Sequence, residues 1–330
     1  MPRVRSATGE ALNRYVQGDY AGAIEFLQQL GGFNVLQAQE WIKAEGLGAA
    51  DRRRLAAATM VLEYTAARPN LSPPLIEWAC EQLARYPTPA IEELWLRASI
   101  ALIEGRQAWT ILTGATSNHL AHARTRFPDN TPFKLAEAVS AEATADDASV
   151  RPADRGMVID RLWGEMLDQP SDKGSKAAAL LEQAAATLEG LVSDETVGAE
   201  ARLRLGFIHL RLGRREQALQ QFKQVEGVPR DAALKYLGLL FSGWTLARDG
   251  RTDEAIAAYR AALEVIPRAR SATTLLTMLL VMNHKLGDAE MVTDAFMNAP
   301  LTVEDPWRTY QLGSYRSYQG LIDQLREAIR

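Results

Sequence analysis

Leucine, isoleucine, valine and alanine recur along most of this chain at three- and four-residue spacing, with Glu, Gln, Arg and Lys between them. That is the pattern of helices with one apolar face. Alternating runs of β-branched and aromatic residues, which would mark half-buried strands, do not occur. Short breakers divide the stretches: Gly18-Asp19, Gly31-Gly32, Pro69-Asn70, Ser72-Pro73-Pro74, Pro87, Phe127-Pro128-Asp129-Asn130, Gln169-Pro170-Ser171, Gly213, Gly250, Pro267 and Gly287. Between them lie segments of about 10 to 18 residues, the length of ordinary globular helices. Helix, short turn, helix is the rhythm of a bundle or a stacked solenoid, so the expected fold class is all-α.

An internal repeat favours the solenoid. Gly213, Gly250 and Gly287 stand 37 residues apart, and the same offset links Phe222, Tyr259 and Phe296. It also links Ala218, Ala255 and Val292, and Val225, Ala262 and Ala299. Four positions sharing one period over three units define a repeat. The glycines suit a tight turn, the small residues a close helix crossing, and the aromatics fill space one turn further along the same face. One such hairpin cannot bury its apolar face, whereas a stack of them can.

These residues resemble the tetratricopeptide repeat (TPR), in a bacterial-type chain with degenerate N-terminal copies. The best copy runs from Leu239 to Pro267, with Gly243, the turn Asp249-Gly250-Arg251, then Ala255, Tyr259 and Ala262. The preceding copy carries Leu205-Gly206, Gly213, Ala218 and Phe222, and Gln17-Gly18-Asp19-Tyr20 with Ala23-Ile24 looks like the turn of another. In the third unit this register puts Leu280 where a small residue is expected and Val292 where the alanine is, which predicts altered packing at the end of the stack. The resemblance implies an α-solenoid of stacked antiparallel helix pairs, a TPR-like superhelix. The organisation expected is an N-terminal helical region with degenerate repeats over 1–170, repeats over 171–302, and an aromatic segment with a capping helix over 303–330. Within the first of these, the polar stretch Ala143 to Ala153 reads as an exposed linker.

Composition narrows the function. Apolar residues make up 47% and charged residues 24% of the 330, which suits a folded soluble chain. Lys plus Arg number 37 against 41 Asp plus Glu, a balance that argues against a nucleic-acid binder. Cys80 is the only cysteine, so neither an intrachain disulfide nor a thiolate metal cluster is expected. No run is long and apolar enough for direct membrane insertion, and the basic start Met1-Pro2-Arg3-Val4-Arg5 lacks a signal-like apolar stretch. The expected compartment is the cytoplasm, or the periplasm or exterior if a leader has been removed.

Residues for chemistry are few. Asp172-Lys173-Gly174-Ser175-Lys176 lacks the spacing of a phosphate loop and reads as a helix start near Ser175. His119 and His122 stand three apart on a helix without a third ligand nearby in sequence, so no metal is expected. Cys80, among Ile76, Ala79 and Leu83, reads as a core thiol. Neither a cofactor nor catalysis is expected. The alternative is a helical enzyme or small-ligand binder with its site in the region 31–170, which holds Trp41, Trp78, Trp95, Trp109 and Trp163.

The resemblance implies instead a scaffold or adaptor that binds a protein or peptide along the concave face lined by the first helix of each unit. The groove residues read there are Leu203, Arg204 and Phe207, then Leu237, Phe241 and Trp244, then Met278 and Val281, with Arg204 alone suited to a carboxylate. The cluster Arg202, Arg211, Arg214 and Arg215 is a second candidate surface, for an anionic partner. Assembly of the chain with copies of itself stays open. Trp307, Tyr310, Tyr315 and Tyr318 precede Leu321, Leu325 and Ile329 at helical spacing, which predicts a capping helix with an aromatic lid. The other reading is that this segment folds back into the groove.

Overall fold

The computed structural model describes residues 2–30, 33–48, 51–66, 73–86, 88–103, 115–149, 175–227, 231–298, 305–311 and 318–330. Every regular element among them is an α-helix. The chain divides into two compact units, Met1–Pro128 with Arg316–Arg330, and Asp129–Tyr315.

The first unit holds α1 (Pro2–Val16), α2 (Tyr20–Gln28), α3 (Val35–Glu45), α4 (Arg52–Ala66), α5 (Pro73–Ala84), α6 (Pro89–Ile103) and α7 (Ala115–Arg126). Local chemistry sets several boundaries. Asp19 caps α2 by accepting from the Gly22 amide, and Asn34 forms a reciprocal capping box with Gln37 at the start of α3. Helix α4 is buried almost all round, from Leu55 to Leu62 without a break. A helix so placed must satisfy its polar side chains internally. Thr59 and Thr65 accordingly donate to the carbonyls of Leu55 and Leu62, at 2.9 and 2.8 Å.

The second unit holds α8 (Thr131–Ser149), α9 (Lys176–Glu189), α10 (Gly198–Arg211), α11 (Arg215–Glu226), α12 (Ala232–Arg248), α13 (Thr252–Val265), α14 (Arg270–Met282), α15 (Leu286–Met297) and α16 (Pro306–Gln311). Helices α8 and α9 pair, and Ser175 caps α9 by accepting from the Ala178 amide at 3.1 Å. From α10 to α15 each helix packs on the next, giving three successive hairpins. The stretch expected as a linker is helical up to Ser149, with Ala145 wholly buried between α8 and its neighbours, because alanine serves a close helix contact as well as it serves a loop. Residues 150–153 of that stretch lie outside the described residues, as does the boundary placed at 170.

The expected C-terminal piece is divided. Helix α17 (Tyr318–Ile329) belongs to the first unit, where Leu321, Ile322 and Leu325 pack against α4 and α6. Its Arg326 bonds Glu63 and lies 4.0 Å above the Tyr20 ring. The helix expected as a cap therefore packs on helices of the first unit. Its apolar stripe matches the wide face that α4 and α6 present, which spacing alone does not reveal.

Candidate functional site

The turns set the register of the repeats. Gly213, Gly250 and His284 each follow their helix end by two residues and take the left-handed conformation, with φ of 75°, 74° and 58°. The hydrogen bonds around them match: the amides of Gly213, Gly250 and His284 donate to Leu210, Ala247 and Val281. The next amides, of Arg214, Arg251 and Lys285, donate to His209, Leu246 and Leu280. Gly18, between α1 and α2, repeats this arrangement with φ of 92° and partners Tyr15 and Arg14, so the N-terminal hairpin has the same turn.

This corrects the third unit. The spacing from Gly213 to Gly250 is 37 residues, but from Gly250 to His284 it is 34, and Gly287 lies inside α15 with no left-handed backbone. The structural partners of Ala218 and Ala255 are therefore Ala289, not Val292, and all three are buried. Gly206 and Gly243 correspond to Thr277, and Phe222 and Tyr259 to Thr293. A Cβ on Gly206 would lie 2.5 Å from the Phe222 ring, and one on Gly243 2.7 Å from the Tyr259 ring. In these two hairpins glycine lets the aromatic ring of the second helix sit on the backbone of the first. The third hairpin has no such pair.

In the same register Phe207, Trp244 and Met278 occupy one position, and Arg204, Phe241 and Leu275 another. The structure brings Phe207, Phe241 and Trp244 together and fills the space before them with α16. The Trp307 ring centroid lies 5.6, 5.2 and 6.3 Å from those of Phe207, Phe241 and Trp244, edge-on to each. Tyr310 stands 5.5 Å from both Phe207 and Phe241 and stacks on Trp307. Leu203, Leu237 and Phe241 are wholly buried, and Phe207 and Trp244 nearly so.

Polar contacts hold α16 in place. One oxygen of Asp305 accepts from the Trp307 amide and the Tyr236 hydroxyl, at 3.0 and 3.3 Å. The other accepts from the Ser271 amide at 2.6 Å. A single carboxylate thus serves the first turns of both α14 and α16, where backbone amides and helix dipoles favour negative charge. Burial, and then the Asp305 charge, push the Tyr236 hydroxyl pKa up, so it remains a donor. Deeper, Tyr310 donates to Glu142 at 2.9 Å, and Arg204 donates to Glu142 and Glu200 at 3.0 and 2.9 Å. The Arg204 guanidinium also lies 4.5 Å above the Tyr310 ring. Burial opposes its charge, but Tyr310, Glu200 and Glu142 outweigh that and raise its pKa. The arginine read as suited to a partner's carboxylate is committed to two of the chain's own.

The arginine cluster is similarly engaged. Arg202 bonds Gln224, Arg214 bonds Glu182 at 3.0 Å, Arg215 bonds Asp249 at 2.9 Å, and Arg211 is buried. Met278 and Val281 are different, at 56% and 47% exposed. Met282, Leu286, Met291 and Met297 continue the apolar exposure over the same hairpin, and sequence reasoning missed all four. The signal available was Met282-Asn283-His284-Lys285-Leu286, where apolar residues flank the turn itself.

The tryptophan-rich region holds less. Trp41 and Trp78 are buried in the first unit's core, and Trp95 packs against His119 and His122 at 5.9 and 6.3 Å. Ser99 and His119 Nδ1 are 3.1 Å apart, His122 Nε2 meets Glu92 at 3.1 Å, and Arg126 meets Glu92 at 3.2 Å. Burial pushes the Cys80 thiol up to about 12, so it stays protonated at neutral pH. Trp109 and Trp163 lie outside the described residues. No group of three metal-binding side chains is found among the described residues, and none of their helices is long and apolar enough to cross a membrane.

Stacked helix hairpins with a common turn define a helical-repeat protein. The tetratricopeptide-repeat family matches at residues 200–226 and 239–268, the first and second hairpins, so the chain carries tetratricopeptide repeats there. No curated protein matches it. Among solved structures it is similar to a human IFIT1 dimer with m7Gppp-AAAA, at 14% identity over 99% of this chain and 75% of that one, with a TM-score of 0.38. A monomeric IFIT1 mutant with Gppp-AAAA matches at 13% identity over 99% and 76%, also at 0.38. Tetratricopeptide repeats generally mediate protein–protein interaction.

Proposed function

We propose that this chain is a non-catalytic scaffold or adaptor that holds a segment of a partner protein at the uncovered end of its repeat groove. One observation carries the reading. Phe207, Trp244 and Met278 share a position in three successive hairpins; Trp307 covers the first two, while Met278 remains exposed beside Val281. Six of the eight large exposed hydrophobics among the described residues fall on this third hairpin. Apolar exposure concentrated in one place marks an interaction surface more often than scattered exposure does. Leu203, Arg204, Leu237 and Phe241 then shape the groove from beneath, and a partner reaches Phe207 and Trp244 only by displacing α16. The acidic net charge, −4, favours a protein over a nucleic acid as that partner.

The test is a photoreactive side chain at position 278, with one at the still more exposed Leu36 in the first unit as comparison. The reading expects one partner cross-linked from 278 and not from 36. Binding of that partner, once purified, should weaken about tenfold or more in Met278→Ser with Val281→Ser while melting is unchanged. Undiminished binding to that variant overturns the assignment.

A further inference from the structure

The α15 face carries information about its occupant. Leu286, Glu290, Thr293 and Met297 recur at spacings of four, three and four, which places them on one stripe of α15. Their equivalents on α13 are Thr252, Ile256, Tyr259 and Leu263; α14 packs against α13, and Ile256 and Tyr259 are only 5% and 1% exposed. On α15 the same stripe is open, with Leu286 62% and Met297 72% exposed. From Leu286 to Met297 it runs about 16 Å, three turns of helix.

The stripe is apolar at both ends and acidic in the middle. Glu290 and Asp294 stand one turn apart, a like-charge spacing that weakens a helix slightly. Two of the hairpin's other charges are paired: Lys285 bonds Asp253 at 3.0 Å and Asp288 bonds Arg260 at 2.8 Å. Glu290 and Asp294 are exposed, and neither has an ion-pair partner among the described residues. Methionines at the margin, Met282, Met291 and Met297, can repack around varied side chains. A second copy meeting this face by two-fold symmetry would set Glu290 and Asp294 against themselves, a juxtaposition that opposes association.

We propose that α15 receives the apolar side of a basic amphipathic helix from a partner protein, seated as α14 is seated on α13, with lysines or arginines opposite Glu290 and Asp294. The proposal rests on the scaffold reading and specifies its partner. It is tested on the full chain with two fluorescent amphipathic peptides of equal length, one built from leucine and lysine and one from leucine and glutamate. The leucine–lysine peptide should raise anisotropy at micromolar protein, and the leucine–glutamate peptide should not. Glu290→Lys with Asp294→Lys should reverse the preference, and Leu286→Ser with Met297→Ser should weaken the leucine–lysine peptide about tenfold or more. These side chains are exposed, so each variant should melt as the parent does.

If the charge-reversed chain holds the leucine–lysine peptide as tightly as the parent, while the serine variant loses it, the basic partner is wrong and the scaffold reading stands. If the serine variant retains the peptide, α15 is not the seat. If neither peptide binds and sedimentation shows self-association that the serine variant abolishes, a second copy is the occupant and the proposal fails. Absence of both binding and self-association overturns it equally.

Discussion

The second and third hairpins share a turn, a buried alanine at Ala255 or Ala289 and a groove position at Trp244 or Met278, yet they differ at every other place where a neighbour would be received. The second nests Tyr259 on Gly243, packs its second helix against α14 with Ile256 and Tyr259 buried, and has its groove filled by Trp307. The third has Thr277 and Thr293 in place of that glycine and aromatic, and Glu290 in place of Ile256. Polar substitution at inward positions is how a stack is ended in water. The third hairpin nevertheless keeps methionine and leucine exposed around those polar positions. A terminal repeat built only for solubility would not require them, and this mixture supports the proposed docking face over a simple cap.

The largest contrast should appear in the groove. Trp307→Ala removes a buried ring from between Phe207, Phe241 and Trp244 and is expected to cost about 3 to 5 kcal/mol. Met278→Ala, at the equivalent place in the open register, should change stability by less than about 0.5 kcal/mol. Chemical denaturation of the two variants decides the matter, and similar losses from both would mean that the third register is covered after all. Next comes the ring-on-backbone contact. Gly243→Val drives a side chain into Tyr259 and should cost about 1 to 3 kcal/mol or more, whereas Thr277→Val should stay within about 0.5 kcal/mol. The smallest contrast lies in the turns. No atom lies within 4 Å of a Cβ built on Gly250, so Gly250→Ala reports backbone strain alone, about 1 kcal/mol. His284→Gly should do the reverse and stabilise by about 0.5 kcal/mol, visible as a small rise in Tm.

The helical class and the first two hairpins were legible in the sequence because Gly213 and Gly250, Ala218 and Ala255, and Phe222 and Tyr259 each do one physical job that few other residues do. The third hairpin was misread for a specific reason. Gly287 and Phe296 continue the 37-residue offset by coincidence, while the left-handed turn position is held by His284, a residue no glycine pattern would find. The three extra residues of the longer spacing fall between Phe222 and Gly243, so the second interval returns to 34. Groove occupancy was not legible either. Phe241 and Trp244 have the same spacing whether a groove is open or filled, and nothing local ties Asp305 to Tyr236 or Glu142 to Arg204 and Tyr310 across the chain. Those pairings depend on tertiary placement, which periodicity does not encode.

The central claim, that the third hairpin is the partner's seat while the groove of the first two is closed, is tested most directly by methyl NMR on methionine-labelled chain. The eight methionines include Met278, Met282, Met291 and Met297 on the exposed hairpin and Met60 in the core of the first unit. Titration with the partner cross-linked from position 278 should shift or broaden the four hairpin signals and leave Met60 unmoved. Binding that leaves all four hairpin methyls unchanged would contradict the account.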